Sequence, residues 1–129
     1  MKFTIIENDE ICVFISRKVL LNADMDLEID AFTKAQDALG FFVENQASPA
    51  LLPDVILLDI NMPVMNGWDF LLEFKNIKHK LAKIPLIYVL SSTLWPPELE
   101  RISSHPMIAG FISKPFRVEN ALQLIQEVT

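Results

Sequence analysis

Residues 55–63 read Val55-Ile56-Leu57-Leu58-Asp59-Ile60-Asn61-Met62-Pro63, so a single acid directly follows an uninterrupted apolar run. A short run of β-branched residues and leucine without polar alternation is typical of a strand buried on both faces of a parallel sheet. Ligands of open parallel sheets bind beyond the carboxyl ends of the strands. We therefore expect Asp59 to point into a ligand-binding crevice.

The composition indicates one compact α/β domain. Of the 129 residues, 51% are hydrophobic and 22% are charged, which is enough to bury a core between helix layers. The net charge of −6 would repel phosphate groups, so we expect neither nucleic-acid binding nor attachment to an anionic membrane. The single cysteine, Cys12, and the lack of a signal or membrane-spanning pattern predict a cytoplasmic protein.

Extended and helical patterns alternate along the chain. Strands are predicted at residues 2–6, 27–32, 55–59, 86–90 and 108–112. Helical patterns follow them: Ile11 to Leu21, Ala38 to Phe42 after Thr33 as N-cap, Phe70 to Phe74, a short helix from Pro96, and Val118 to Ile125. Parallel strands need crossover helices, so these units predict a flavodoxin-like, doubly wound parallel sheet of strand order 2-1-3-4-5 with helices on both faces.

The predicted strand order brings polar side chains together. Strands one and three are neighbours at the switch point of such a sheet. Residues Glu7, Asn8 and Asp9 follow strand one and are therefore expected beside Asp59. These oxygen-bearing side chains would share one pocket, and an acidic pocket suits a cation.

Two further features follow the other strand ends. Ser91 comes after strand four, and Lys114-Pro115 lies after strand five. With the acidic cluster after strand one and the pattern Leu-Asp-x-x-Met-Pro-x-x-Asn-Gly around Asp59, these residues make the chain resemble the receiver domain of two-component response regulators. The resemblance covers the whole chain, residues 1–129. It implies a stand-alone receiver domain without an output domain.

The resemblance implies a chemical role for each of these residues. Asp59 would be the phosphoacceptor, while Lys114 and Ser91 would contact the phosphoryl oxygens. Ser91 and Phe111 would form a conformational switch, and the Lys114–Pro115 peptide bond would be cis. The expected Mg²⁺ ligands are Glu7, Asn8, Asp59 and the backbone carbonyl of Asn61.

The resemblance also implies the partners. Asp59 would take its phosphoryl group from a phosphohistidine of a sensor histidine kinase or a histidine phosphotransfer protein. The altered surface would then act on a downstream protein target. The chain would not be an enzyme beyond catalysing its own phosphorylation and dephosphorylation.

One residue departs from the family pattern. The family places two acids after strand one, and here the second position is Asn8, a neutral ligand that should weaken Mg²⁺ binding. Asp9 would compensate if the loop turns it inward. The alternative is a pseudo-receiver that binds partners without efficient phosphorylation.

Other strand-end chemistries fit the sequence poorly. A haloacid-dehalogenase-type phosphohydrolase needs a second Asp where this chain has Asn61. A flavodoxin needs a phosphate-binding loop after strand one, where residues 7–10 carry three acids that would repel phosphate.

Overall fold

Strands and helices alternate in a computed structural model that describes all residues from 1 to 129. The strands are β1 (Lys2–Ile6), β2 (Glu28–Phe32), β3 (Val55–Leu58), β4 (Leu86–Ser91) and β5 (Ile108–Ser113). The α-helices are α1 (Glu10–Ala23), α2 (Ala35–Glu44), α3 (Gly67–Ile77), α4 (Pro96–Ser104) and α5 (Val118–Val128). A 3₁₀ turn at Lys78–Lys80 follows α3.

The five strands form one parallel sheet of order β2-β1-β3-β4-β5, which confirms the predicted flavodoxin-like topology. In the β1–β3 register Ile6 lies opposite Leu58, so these two strands end level with each other. The backbone N–H of Asp59 donates to the Ile6 carbonyl at 3.0 Å and extends that pairing by one step. Glu7 and Asp59, each one residue beyond its strand, are thereby brought to the same edge of the sheet.

Two apolar layers cover the sheet. All four residues of β3 are buried, as expected of a central strand with both faces covered. One core joins the sheet to α2, α3 and α4 through side chains such as Phe42, Phe74 and Ile102. The other joins it to α1 and α5 through side chains that include Leu20 and Leu124. The sheet is therefore held firmly, and the groups at its carboxyl edge sit on a rigid base.

Helix α1 is where expected, but it buries a different face. Ile11 and Ile15 are 71% and 45% exposed, whereas Ser16 and Leu20 are buried. The helix begins directly after its N-cap Asp9, and that start turns Ser16 and Leu20 toward the sheet. Of the apolar residues at helical spacing, Ile11 and Ile15 therefore lie on the outer surface, whereas Val19 packs against the core.

The predicted N-cap of α2, Thr33, is wrong. The cap is Lys34, whose side chain makes no capping hydrogen bond. The backbone is still extended at Lys34, with φ −129° and ψ 132°, so the first helical residue is Ala35.

Among all the helices, none combines the length and apolar character needed to cross a bilayer.

Candidate functional site

Two buried carboxylates meet at the carboxyl edge of the sheet. Glu7 is 3% exposed and Asp59 is 6% exposed. Each leaves the end of a central strand, because β1 and β3 are neighbours that end level. The backbone N–H of Asn61 donates to Asp59 Oδ1 at 3.2 Å and helps to orient that carboxyl group.

Lys114 supplies the positive charge of this site. It directly follows β5, and its backbone N–H donates to the Ser91 carbonyl at 2.9 Å. Its ammonium nitrogen lies 2.6 Å from Glu7 Oε1 and 3.8 Å from Asp59 Oδ1. The Lys114–Pro115 peptide bond is cis, the isomer that the family resemblance implies. Lys114 therefore bridges two carboxylates that come from different strands.

The protonation of the site reflects this crowding. The pKa of Asp59 is raised to about 7. Burial is the largest cause, followed by the hydrogen bond and the negative charge of Glu7. Lys114 and the Asn61 N–H oppose this shift. Burial acts to lower the pKa of Lys114, but the Glu7 hydrogen bond and the adjacent carboxylates outweigh it, so that pKa is raised. One ammonium group thus incompletely neutralises two adjacent acids, and an added cation would favour the ionised form of Asp59.

A close backbone approach fixes the chain beyond Asp59. The N–H of Gly67 donates to the Ile60 carbonyl at 2.8 Å. A Cβ at Gly67 would lie 2.7 Å from Ile60 Cα and 2.8 Å from the Asp59 carbonyl oxygen, closer than such atoms can pack. Asn66 and Asp69 cap α3 reciprocally at the same place. Gly67 therefore lets the start of α3 press against the backbone of the phosphoacceptor candidate.

Asn8 and Asp9 stand apart from the contact between Lys114 and the two carboxylates. Asn8 is exposed, and it lines an open groove with Lys34 and Val64. The Asp9 carboxylate caps α1, accepting from the N–H groups of Ile11 at 2.9 Å and Cys12 at 3.4 Å. These backbone hydrogen bonds lower the pKa of Asp9. Neither side chain makes a hydrogen bond or ion pair with Asp59.

The oxygen donors near Asp59 are few. No group of three or more His, Cys, Asp and Glu side chains comes close enough together to hold a metal ion. The carboxylates of Glu7 and Asp59 remain as an adjacent pair, both within reach of Lys114. Mg²⁺ commonly takes only one or two protein carboxylates and keeps several waters, so this pair still suits that cation.

Ser91 and Phe111 lie on the neighbouring strands. Ser91 ends β4 and is fully buried, and its Oγ accepts the Thr93 N–H at 3.2 Å. Phe111 lies opposite Val89 in the β4–β5 register and is 36% exposed. Phe111 is one of the residues that line a cavity of about 210 Å³ between β5 and α5. The hydroxyl and the aromatic ring therefore occupy adjacent strands, one inside the molecule and the other at its surface.

Two contacts of this chain are not predictable from its sequence. One is the pairing of Lys114 with Glu7, which are separated by more than a hundred positions and by two intervening strands. The other is a cationic groove around Trp68 and Arg101, outside the region of Asp59. The spacing of Trp68, Leu72 and Lys75 along one helical face was an available signal for the groove, but it does not specify the opposite wall.

Comparisons with known proteins identify the family and the fold of the chain. A family model described as the response regulator receiver domain matches residues 3–126. The probable transcriptional regulator ycf29 of Porphyra purpurea is 28% identical over 125 residues, which make up 96% of this chain and 54% of that protein. The protein-glutamate methylesterase/protein-glutamine glutaminase of Treponema pallidum is 42% identical over 72 residues, or 54% of this chain and 16% of that protein. The chain thus spans about half the length of the first relative and less of the second.

Solved structures are similar over nearly the whole chain. A two-component response regulator from Cytophaga hutchinsonii has a TM-score of 0.83 and 25% identity, with 98% of this chain and 95% of that one covered. The Vibrio cholerae chemotaxis protein CheY4 has a TM-score of 0.71 and 25% identity, with 99% and 98% covered. The family match covers all five strands except Lys2, the first residue of β1, and it covers α5 up to Gln126. The chain therefore belongs to the response regulator receiver domain family of two-component systems.

Proposed function

We propose that this receiver domain accepts a phosphoryl group on Asp59. The observation that supports this most is the position of Lys114, whose ammonium group is held by Glu7 at 2.6 Å and lies 3.8 Å from Asp59 Oδ1. A fixed cation beside a strand-end carboxylate suits a reaction in which negative charge gathers on transferring oxygens. An acid that only stabilised a turn would not require a half-buried lysine from the end of a different strand.

The proposed donor is a phosphohistidine, because receiver domains of this family interact with histidine kinases or histidine phosphotransfer proteins. A carboxylate oxygen of Asp59 attacks the phosphorus in line, and the bond from phosphorus to the imidazole nitrogen breaks. The electron pair returns to the imidazole, which takes up a proton from water. Lys114 and the Ser91 hydroxyl stabilise the equatorial oxygens by charge and hydrogen bonding.

We propose Mg²⁺ as the cofactor, held by Glu7, Asp59 and the backbone carbonyl of Asn61, with Asn8 or Asp9 as a further ligand. Glu7 and Asp59 are adjacent buried carboxylates, and the pKa of Asp59 is raised to about 7. A hard cation between them would offset their mutual repulsion and favour the ionised form of Asp59. When bound, Mg²⁺ supplies positive charge that offsets the charge of the phosphoryl oxygens. The cap on α1 uses only Oδ1 of Asp9, so Oδ2 is the oxygen that Asp9 would offer, whereas Asn8 would join only as a neutral ligand.

The proposed output is a change of surface. The Ser91 hydroxyl would move from the Thr93 N–H to the phosphoryl group, and Phe111 would turn inward from its half-exposed position. Such a movement changes the face that α4, β5 and α5 present to a downstream protein. The activities of the longer relatives outside the matched region are not assigned to this chain.

A second candidate is a pseudo-receiver, which keeps the fold and binds partners without phosphorylation. The exposed Asn8 and the absence of a third acid at the site favour it. The retained Glu7, Asp59 and Lys114 cluster favours phosphorylation.

Incubation with phosphoramidate or acetyl phosphate separates these two functions. Intact mass is followed with and without Mg²⁺ for the wild-type chain and Asp59→Ala. A phosphoryl adduct that needs Mg²⁺ and is absent from the variant supports phosphorylation. A wild-type chain that stays unmodified at saturating Mg²⁺, yet binds a kinase or another partner, supports the pseudo-receiver.

A further inference from the structure

A cationic groove lies between α3 and α4, away from the carboxyl edge of the sheet. Its volume is about 370 Å³, within the range of ligand-binding clefts. Trp68, Leu71 and Leu72 of α3 form one wall, and Pro106 and Met107 beyond α4 form part of the other. Leu72 is 65% exposed, so the groove offers apolar surface directly to a binding partner.

Positive charge surrounds this apolar surface. Lys75, Lys78 and Arg101 line the groove, and none of them forms an ion pair with any carboxylate of the chain. The Arg101 guanidinium instead lies over the Trp68 ring, 3.9 Å from its centroid. Three cations are thus left without a carboxylate partner in a chain whose net charge is −6.

The one acid lining the groove is already engaged. Asp69 Oδ2 accepts the backbone N–H of Asn66 at 3.1 Å, and the Asp69 N–H donates to Asn66 Oδ1 at 2.9 Å. This reciprocal cap fixes the Asp69 carboxylate at the start of α3. Asp69 forms no ion pair with the lysines further along the helix.

The pKa of His105 reflects burial and the positive charge around the groove. Burial lowers its pKa, and the positive charges of Arg101 and Lys75 lower it further. The His105 ring lies 6.0 Å from Trp68, and its Nδ1 accepts the Met107 N–H at 3.1 Å. The histidine is held in the groove wall, and its surroundings favour a negative ligand.

We propose that the groove between α3 and α4 binds an acidic, amphipathic segment of a partner polypeptide. Carboxylates of the segment would pair with Lys75, Lys78 and Arg101, and an apolar side chain would pack on Leu72 and Trp68. Because the chain as a whole carries a net charge of −6, an acidic segment gains little attraction away from such a cationic groove. Glu7, Asp59, Ser91 and Lys114 do not line the groove, so its binding can be tested without phosphorylating the chain.

Tryptophan emission tests the proposal in the full chain. Trp95, which is 64% exposed outside the groove, is replaced by Phe so that Trp68 is the remaining reporter. The probe is a synthetic peptide, Glu-Asp-Leu-Leu-Glu-Glu-Leu-Glu, and its control replaces each acid by Lys. We expect saturable binding of the acidic peptide that weakens as salt is raised, and no binding of the basic one.

Matched charge reversals locate the binding. Lys75→Glu and Lys78→Glu should each weaken binding roughly tenfold, as expected for losing one attractive charge and adding one repulsive charge. Lys18→Glu makes the same change of net charge on the exposed surface of α1 and should change the affinity by less than about twofold. Circular dichroism of every variant establishes that the fold is kept.

Three results would overturn the proposal. The first is that the folded Trp95→Phe protein does not bind the acidic peptide. The second is that Lys18→Glu weakens binding as much as Lys75→Glu does. The third is that an oligothymidylate of equal charge binds as tightly as the peptide. The last result would identify a general polyanion or nucleic-acid surface instead of a peptide site.

Discussion

The ammonium group of Lys114 lies 2.6 Å from the carboxylate of Glu7, closer than its 3.8 Å separation from Asp59. Glu7 is 3% exposed and therefore holds the lysine from inside the molecule. This arrangement keeps a positive charge beside Asp59 without a tight ion pair that would compete with a phosphoryl group. Glu7 thus has a role in positioning Lys114 as well as a proposed role as a metal ligand.

Removing either partner of the Lys114–Glu7 pair should be costly. Lys114→Met leaves two buried acids without their cation, and we expect a loss of roughly 2–3 kcal/mol in unfolding free energy at pH 7, since the lysine is partly exposed. Glu7→Gln/Lys114→Met should lose at least about 1 kcal/mol less than the sum of the single variants. Urea denaturation gives the free energy of unfolding of the wild type, Glu7→Gln, Lys114→Met and the double variant. Additive losses would show that the pair is not energetically coupled.

Restoring the family's second acid should strengthen cation binding. Asn8→Asp adds a charged oxygen near Glu7, and we expect it to tighten Mg²⁺ binding by about tenfold and to speed phosphorylation by phosphoramidate. Mg²⁺ titration followed by tryptophan emission measures the affinity. Asn22→Asp, an equal change of charge on α1, is the control and should have little effect. An unchanged affinity in Asn8→Asp would show that residue 8 does not face the cation.

Asp59 should destabilise the metal-free fold at neutral and higher pH. Its pKa of about 7 in the folded protein exceeds the ordinary value near 3.9, so the folded state binds the extra proton between these values and loses stability as the pH rises. Asp59→Asn should therefore be more stable than the wild type at pH 8, by on the order of 2 kcal/mol, and similar near pH 4. Thermal unfolding in EDTA measures the stability difference between Asp59→Asn and the wild type at each pH. A pH-independent difference would contradict the raised pKa.

Two glycines should respond oppositely to alanine. Gly67→Ala places a Cβ 2.7 Å from Ile60 Cα, and we expect a loss of about 2 kcal/mol or more together with slower phosphorylation. Gly40 is an exposed position of α2, and an added Cβ there would meet no neighbouring atom within 4 Å, so Gly40→Ala should stabilise by roughly 0.5–1 kcal/mol. The urea midpoints of Gly67→Ala and Gly40→Ala, compared with that of the wild type, test both expectations. Equal effects would rule out backbone crowding at Gly67.

The fold was predictable because local patterns and topology agree. The apolar run before Asp59 and the alternation of strands with helices were sufficient for the order β2-β1-β3-β4-β5. Which face of α1 is buried was not, since Ile11 and Ile15 have the right spacing but lie outside. The start of the helix, set by Asp9 as cap, determines that rotation. Periodicity identifies a helix more securely than it identifies its buried side.

The site was predictable only in part. Strand order alone placed Glu7 beside Asp59, because adjacent strands end at the same edge. The side-chain directions were not predictable: Asp9 turns to cap α1, and Lys114 reaches across the sheet edge to Glu7. These choices depend on competition between backbone N–H groups and buried charges for the same carboxylates. Sequence spacing contains no information about that competition.

Locating the phosphoryl group tests the central claim most directly. The chain is treated with phosphoramidate and Mg²⁺, reduced with borohydride to trap the acyl phosphate, digested and sequenced by mass spectrometry. We predict one modified residue, Asp59, with no modification in Asp59→Asn and normal modification in Asp26→Asn, an exposed acid outside the site. Modification of another residue, or a chain that remains unmodified at saturating Mg²⁺, would contradict the assignment of Asp59 as phosphoacceptor.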